Sequence, residues 1–402
     1  MMFESDDGTR RVVARSATIF AVAVLFAGCG AEQASEEPED PGGSGAQTEL
    51  TESGTPAPED TGAVDPESTS ANAGPVEVET SVLSSGLEVP WGLAFLPDGS
   101  ALVTERDSSR LLSVGSSGNV EEVQTLPESG TGEGGLLGLA PSPDYESDGL
   151  IYVYYTTDTD NRVARFRLGE EPEPILTGIP VESYHNGGRV AFGPDGMLYV
   201  GTGDGGVPSY AQTLNSYGGK ILRITPEGEV PSDNPFPNSL VYSYGHRNVE
   251  GLAWDAEGQL YASEFGSNLY DEVNRIEPGQ NYGWPYVEGT GGEPDYTDPI
   301  ATFSTSEASP SGAVIPNGGA IPQWEGDFFM AALRGQRLWR LDLDENGAVV
   351  DREALLSGQA GRLRHVAQAP DGSLWILTSN RDGRGNPTAD DDRILRLAPA
   401  GG

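Results

Sequence analysis

After Pro75 the chain alternates short apolar runs with turns built on Gly, Pro and Asp, and almost none of it carries helical spacing. Runs of four to eight residues bounded by Asp-Gly and Pro turns predict an all-β domain. The runs also recur. A strand-turn-strand unit reads WGLAFLPDGSALVTER from Trp91, GLLGLAPSPDYESDGLIYVYYT from Gly135, RVAFGPDGMLYVGTGD from Arg189, VEGLAWDAEGQLYASEFG from Val249 and RLRHVAQAPDGSLWILTSN from Arg362. A sixth, degenerate copy runs from Ala313 through Trp324 and Asp327 to Ala332. Each copy is followed by a short strand of matching pattern, such as Arg110 to Val114, Arg162 to Phe166, Lys220 to Ile224, Glu272 to Ile276, Arg337 to Leu341 and Arg393 to Leu397.

Six copies, each worth about four short strands, predict a six-bladed β-propeller with four-stranded antiparallel blades. An unmatched strand, Val76 to Leu83, precedes the first copy, and the chain ends in the last copy's strand. The two are expected to share one blade and so close the ring without an open sheet edge. The strands nearest the axis then carry short loops to one face, where exceptional residues should collect.

The N-terminal part is of a different kind. Arg10 to Cys29 reads as a charged segment followed by an apolar run too short to span a bilayer, which predicts an export signal. Ala27-Gly28-Cys29 resembles a bacterial lipobox, with Phe26 where Leu is usual, and Arg10-Arg11 permits a twin-arginine route. Export with lipid anchoring at Cys29 is the expectation. Cys29 is the single cysteine, so the exported domain is held without a disulfide. From residue 30 to about 75 an acidic stretch of Glu, Ser, Gly, Pro and Thr is too poor in large apolar side chains to fold, and it reads as a disordered tether to a domain at 76–400. The net charge of -39, with Lys220 the only lysine, argues against nucleic acid as a partner and makes an anionic membrane surface repulsive. Adaptation to high salt and a genome that writes Arg for Lys both fit this acidity.

The stretch YHNGGRVAFGPDGMLYVGTGDGG, from Tyr184 to Gly206, holds one of only three histidines. Its Asp-Gly turn makes it a hairpin, which puts His185 and Asp204 on the loops at the same end. A histidine beside a carboxylate there is a candidate general base. Collecting the loop residues at that end of every copy adds Glu133, Arg247, Asn248, Glu264 to Asn268, Arg334, Arg362 and Arg364. Arginines gathered on one face of an acidic protein suit a small polyanion, such as a multiply carboxylated cofactor.

These residues carry a resemblance. From about Val89 to Leu397 the chain is similar to the soluble quinoprotein sugar dehydrogenases, which use pyrroloquinoline quinone (PQQ) and calcium; the specific pieces are GLLG, His185 with GR and GPDG behind it, GHRN at 245–248, SEFG, DEVNRI and NYGWP at 281–285. The resemblance implies His185 as general base, Asp204 as the carboxylate that orients it, and Arg247 as the group polarising the quinone carbonyl. It further implies quinone contacts from Glu133, Asn248, Arg334, Arg362 and Arg364, a catalytic calcium on the carbonyls of Gly266 and Ser267, and a second, structural calcium on Glu272 and the Tyr282 carbonyl. Glu133 stands where the family has Gln, Arg334 where it has Lys, and the substrate-shaping loops are short. The implied activity is oxidation of an aldose at its anomeric carbon to a lactone, with electrons passed to an external acceptor (a quinone, dye or cytochrome), by a monomer or homodimer. A calcium-dependent propeller lactonase and a non-catalytic binding propeller are the alternatives. His246 and His365 read as structural, Asp271 as a turn residue or substrate contact, and Asp98, Asp195 and Asp371 as hairpin residues.

Overall fold

A computed structural model describes residues 77–126, 130 and 132–401; the export signal, Cys29 and the acidic tether lie outside the described residues. The described chain forms six four-stranded antiparallel sheets. The first strand of each packs against the first strand of the next all the way round, which closes a six-bladed β-propeller. In the last blade the strand Val78–Ser85 pairs with Arg393–Pro399, from Val78 opposite Pro399 to Ser85 opposite Arg393. The strand expected to close the ring does so, two residues further on than the sequence suggested. The degenerate copy is a full member, with Pro310–Val314 and Phe328–Ala332 as its first two strands.

The repeat's own pattern explains the ring. In WGLAF, LGLA, EGLAW and SGAV the glycines are Gly92, Gly138, Gly251 and Gly312, each on an inner strand. A Cβ on Gly138 would lie 2.2 Å from the Gly188 carbonyl, and one on Gly251 would lie 2.5 Å from that of Ser311. Missing side chains there let neighbouring blades meet backbone to backbone. In the last blade His365 takes the glycine position, and Gly312 makes the room: a Cβ on it would sit 1.8 Å from His365 Nδ1. His365 is buried and donates from Nε2 to the Leu93 carbonyl at 3.1 Å, a structural role.

The residues just before these glycine positions are Trp91, Leu137, Gly188, Glu250, Ser311 and Arg364, and contacts across the ring place them at its centre. Arg364 Nη1 donates to Glu250 Oε2 at 2.7 Å, Ser311 donates to the same oxygen at 2.8 Å, and the Arg364 guanidinium lies 5.8 Å from the Trp91 ring. The second strands, such as Ala101–Glu105, Leu260–Glu264 and Phe328–Ala332, are buried along their whole length. The fourth strands were not legible in the repeat. Val120–Thr125 and Val349–Leu355 are largely exposed, so their positions demand no apolar pattern. The PDG turns lie at the far end of the blades, where Asp98, Asp195 and Asp371 accept the backbone N–H two residues on.

Candidate active site

Two kinds of loop reach the same end of the propeller: those from strand two to strand three within a blade, and those that enter the next blade. His185 lies in the loop entering the third blade and Asp204 in the loop after its second strand. His185 has φ 57°, a left-handed conformation uncommon for any residue but Gly. The fold holds it there from both sides. Its N–H donates to Glu133 Oε2 at 3.0 Å, its carbonyl accepts from Gly205 at 3.2 Å, and a Cβ on Gly203 would fall 1.9 Å from that carbonyl. The GG and GTGDGG glycines are thus what lets the histidine loop lie on the aspartate loop.

His185 Nδ1 is 2.7 Å from Asp204 Oδ1, and Asp204 is fully buried. Burial would push the Asp204 carboxyl up, but the bonds from His185, Trp284 Nε1 (2.9 Å) and the Gly206 N–H (2.9 Å) outweigh it and hold the group ionised below its ordinary value. With Nδ1 bound to a carboxylate, Nε2 is the atom left to act on a substrate. Glu133 is held below its ordinary value against burial by the His185 N–H and by Arg384, whose Nη1 lies 2.6 Å from Glu133 Oε1. The charge that replaces the family's neutral Gln is therefore paired.

His185 opens into a cavity of about 230 Å³ that it shares with Glu133, Arg247, Asn248, Gly266, Ser267, Asp271, Arg334 and Arg384. A second, of about 210 Å³, is lined by Trp91, Arg106, Glu250, Arg364 and Asp382; Glu133, Phe265 and Arg384 line both. A larger cavity of about 720 Å³ lies at the hairpin turns of the fourth and fifth blades, among Asp255, Glu257, Glu325, Asp344 and Glu345, with neither His185 nor an arginine cluster. Size favours that one, chemistry the first two.

Arg247 donates to the Gly266 carbonyl, and its Nε is buried without a partner among the described residues. Arg334 is exposed and lines the cavity. Arg364 is buried, with Nη1 on Glu250 and Nε unpartnered. Arg362 does not line either cavity; its guanidinium is bound to Asp382 at 2.7 Å, and Asp382 is also 3.8 Å from Arg364. Asn248 lines the first cavity with its amide engaged at both ends, accepting from the Gly187 N–H at 2.9 Å and donating to Glu250 at 3.1 Å. His246 is buried, bonded to Ser243 at 2.8 Å and stacked on Tyr282, so it is structural.

Four participants were missed by sequence reasoning: Glu250, Trp284, Asp382 and Arg384. Asp382 and Arg384 follow the last repeat's second strand, Leu374–Thr378, in the position that Asp204 holds in the third blade. Extending that copy by a few residues would have found them.

Residues 87–395 match the Glucose / Sorbosone dehydrogenase family. The chain belongs to that family. It is 29% identical to quinoprotein glucose dehydrogenase B of Acinetobacter calcoaceticus, over 79% of this chain and 88% of that one. It is also 29% identical to the aldose sugar dehydrogenase YliI of Escherichia coli, over 77% and 92%. Among solved structures, the PQQ-bound aldose sugar dehydrogenase of Streptomyces coelicolor superposes with a TM-score of 0.75 at 49% identity, over 81% of this chain and 99% of that one.

The residues fit the family's anionic quinone. Arg247 and Arg334 line one cavity and Arg364 the adjoining one, and among the described residues the Nε atoms of Arg247 and Arg364 have no hydrogen-bond partner, in a chain whose net charge is strongly negative. Calcium is a different matter. Gly266 and Ser267 both line the cavity, but the Gly266 carbonyl is taken by Arg247, and two carbonyls are far short of the 6–8 oxygens calcium takes. No cluster of three metal-ligating side chains occurs among the described residues. Gly266 and Ser267 can supply two carbonyl oxygens, and an ion there would need its remaining oxygens from outside this pair and Arg247 moved off the Gly266 carbonyl. Glu272 and Tyr282 border a small cavity of about 10 Å³ with Glu264 and Glu288, room for one water or ion. Burial and the facing Glu264, its cross-strand partner, push Glu272 well above its ordinary value.

Asp271, buried at 1% exposure, accepts the N–H of Gly266 at 3.0 Å and of Ser309 at 2.6 Å, and burial pushes it up to about 6. Because the folded state binds this proton more tightly than the unfolded chain, wild type should lose stability relative to Asp271→Asn as pH rises from 4 to 6. The change is on the order of 2 to 3 kcal/mol. Urea unfolding of both proteins across that range measures it, and parallel pH curves would exclude it.

Proposed function

We propose that the protein is a PQQ- and calcium-dependent aldose dehydrogenase that oxidises the anomeric carbon to a lactone and passes the electrons to an external acceptor. The observation that carries the reading is the His185–Asp204 pair, 2.7 Å apart, opening into the cavity that Arg247 and Arg334 line. When bound, the quinone supplies the two-electron acceptor for the hydrogen leaving C1. The chain supplies the rest. His185 Nε2 takes the proton of the anomeric hydroxyl, and Asp204, ionised and buried, stabilises the imidazolium that forms. Arg247 and Arg334 in this cavity and Arg364 in the adjoining one hold carboxylates and draw charge toward that side. Asn248 and Glu133 keep the histidine loop in place through backbone N–H groups. Export and anchoring at Cys29 belong to the same proposal, supported by the leader's sequence pattern alone.

Reconstitution with PQQ and Ca²⁺, followed by dye reduction with several aldoses, tests the reading. A lactonase or a binding propeller would reduce no dye. For calcium, backbone ligation means that Ser267→Ala should keep near-wild-type turnover, whereas chelation at saturating quinone should abolish it. Full activity after chelation would remove the ion from the proposal.

A further inference from the structure

Trp284, in the NYGWP motif, belongs by sequence to the excursion between strands Tyr270–Ile276 and Ala301–Ser304 of the fourth blade, yet it bonds to the third blade's loops and to the loop that joins the two blades. Its N–H donates to the Gly245 carbonyl at 2.9 Å, and its own carbonyl accepts Gln212 Nε2 at 2.7 Å. So anchored, the indole Nε1 donates to Asp204 Oδ2 at 2.9 Å, while His185 holds Oδ1 at 2.7 Å. The ring also stacks against Arg247, whose guanidinium carbon lies 5.3 Å from the centroid. One side chain thus touches both the partner of the base and the arginine beside it.

We propose that Trp284 is a positioning residue: it sets the basicity of His185 through the far oxygen of Asp204 and holds Arg247 at the cavity wall. A donor on one carboxylate oxygen draws negative charge toward itself and leaves less to stabilise an imidazolium at the other. Asp204 is fully buried, so no solvent levels the difference. Trp284 therefore keeps His185 easier to deprotonate than Asp204 alone would. The other charged groups that share the cavity with His185 are Glu133, paired with Arg384, and Arg247, Asp271 and Arg334, with the Tyr184 ring edge-on to His185 at 4.6 Å. They are the same with and without the indole N–H. The catalytic consequence rests on the dehydrogenase reading, whereas the proton linkage belongs to the cofactor-free protein.

The test is an NMR titration of the imidazoles in the cofactor-free protein. Three histidines make assignment simple, with His185→Ala identifying the resonance. Trp284→Phe removes the donor and keeps a ring under Arg247. The His185 titration midpoint should then move up by roughly half to one pH unit, and the acidic limb of kcat/KM for dye reduction should move with it. In wild type the Trp284 indole N–H should shift with the same midpoint as His185, because both bind one carboxylate; this measurement needs no variant to fold. An indole resonance indifferent to that titration, or equal midpoints in the two proteins, overturns the proposal. So does a variant slower by the same factor at every pH with its limb unmoved, which is what a packing role would give. A shifted midpoint in a protein that reduces dye with no aldose supports the linkage and defeats the dehydrogenase reading instead.

Discussion

Replacing His185 with Ala should lower turnover in dye reduction by a factor of roughly 10² or more, the usual cost of losing a general base, while quinone affinity stays close to wild type. The geometry separates these two quantities. His185 is tied to the loop by its backbone, through its N–H to Glu133 and its carbonyl to Gly205, and an alanine keeps both bonds. The arginines around the cavity do not bond to the imidazole. What the variant loses is the ring and the bond to Asp204, and among the described residues the buried carboxylate then keeps Trp284 and Gly206 as its donors. Some loss of stability accompanies this, so turnover is to be compared well below the melting temperature, with quinone binding followed on the same samples by fluorescence quenching. Turnover within a few-fold of wild type would remove His185 from the mechanism, and lost quinone binding would mean that the ring is a cofactor contact.

The repeat made the propeller readable, because its short apolar runs follow from burial on both faces, and four of the six inner strands carry a glycine where neighbouring blades approach. Apolar order of that kind leaves a trace at every copy. The outer strands, Val120–Thr125 and Val349–Leu355 among them, are exposed and leave none. His185 and Asp204 were legible because one hairpin brings them together, so spacing was enough. Glu250 was not, although it occupies the same position in its copy as Arg364 does in the last. Its role exists across the axis, where Arg364 and Ser311 converge on it from later blades beside the local bond from Asn248. Trp284 was visible as part of a motif, but its bond to Asp204 spans 80 residues and two blades, and no local pattern encodes it. The same limit applies to the Gly266 carbonyl, whose engagement by Arg247 comes from a different loop of the ring.

Arg364→Ala should weaken quinone affinity by at least about 30-fold, since truncating one partner of a buried Arg–carboxylate contact costs on the order of 2 to 5 kcal/mol. Its place at the axis is the reason. Arg364 is buried, it lines the cavity of about 210 Å³ with Trp91 and Glu250, and its Nε has no partner among the described residues, so its guanidinium has donor capacity beyond the Glu250 bond. Its Nη1 is spent on Glu250, and the variant leaves that buried glutamate with neutral donors only, so a fall in melting temperature is expected alongside the loss of affinity. Arg110→Ala is the control. Arg110 pairs with the buried Glu105 at 2.6 Å, so that variant should lose stability by a similar mechanism, but it lines neither cavity and its quinone affinity should stay within a few-fold of wild type. Glu133→Gln should act in the opposite direction. It removes a negative charge from the cavity wall and releases Arg384 from its 2.6 Å pair, so both changes favour an anionic ligand. The expected order of affinity is therefore Glu133→Gln above wild type, Arg110→Ala beside it and Arg364→Ala far below, read by fluorescence titration with the quinone at one temperature below every melting point. Equal affinities in all of them would mean that the arginines serve only to neutralise Glu250, Asp382 and Glu133, and that the quinone binds elsewhere or not at all.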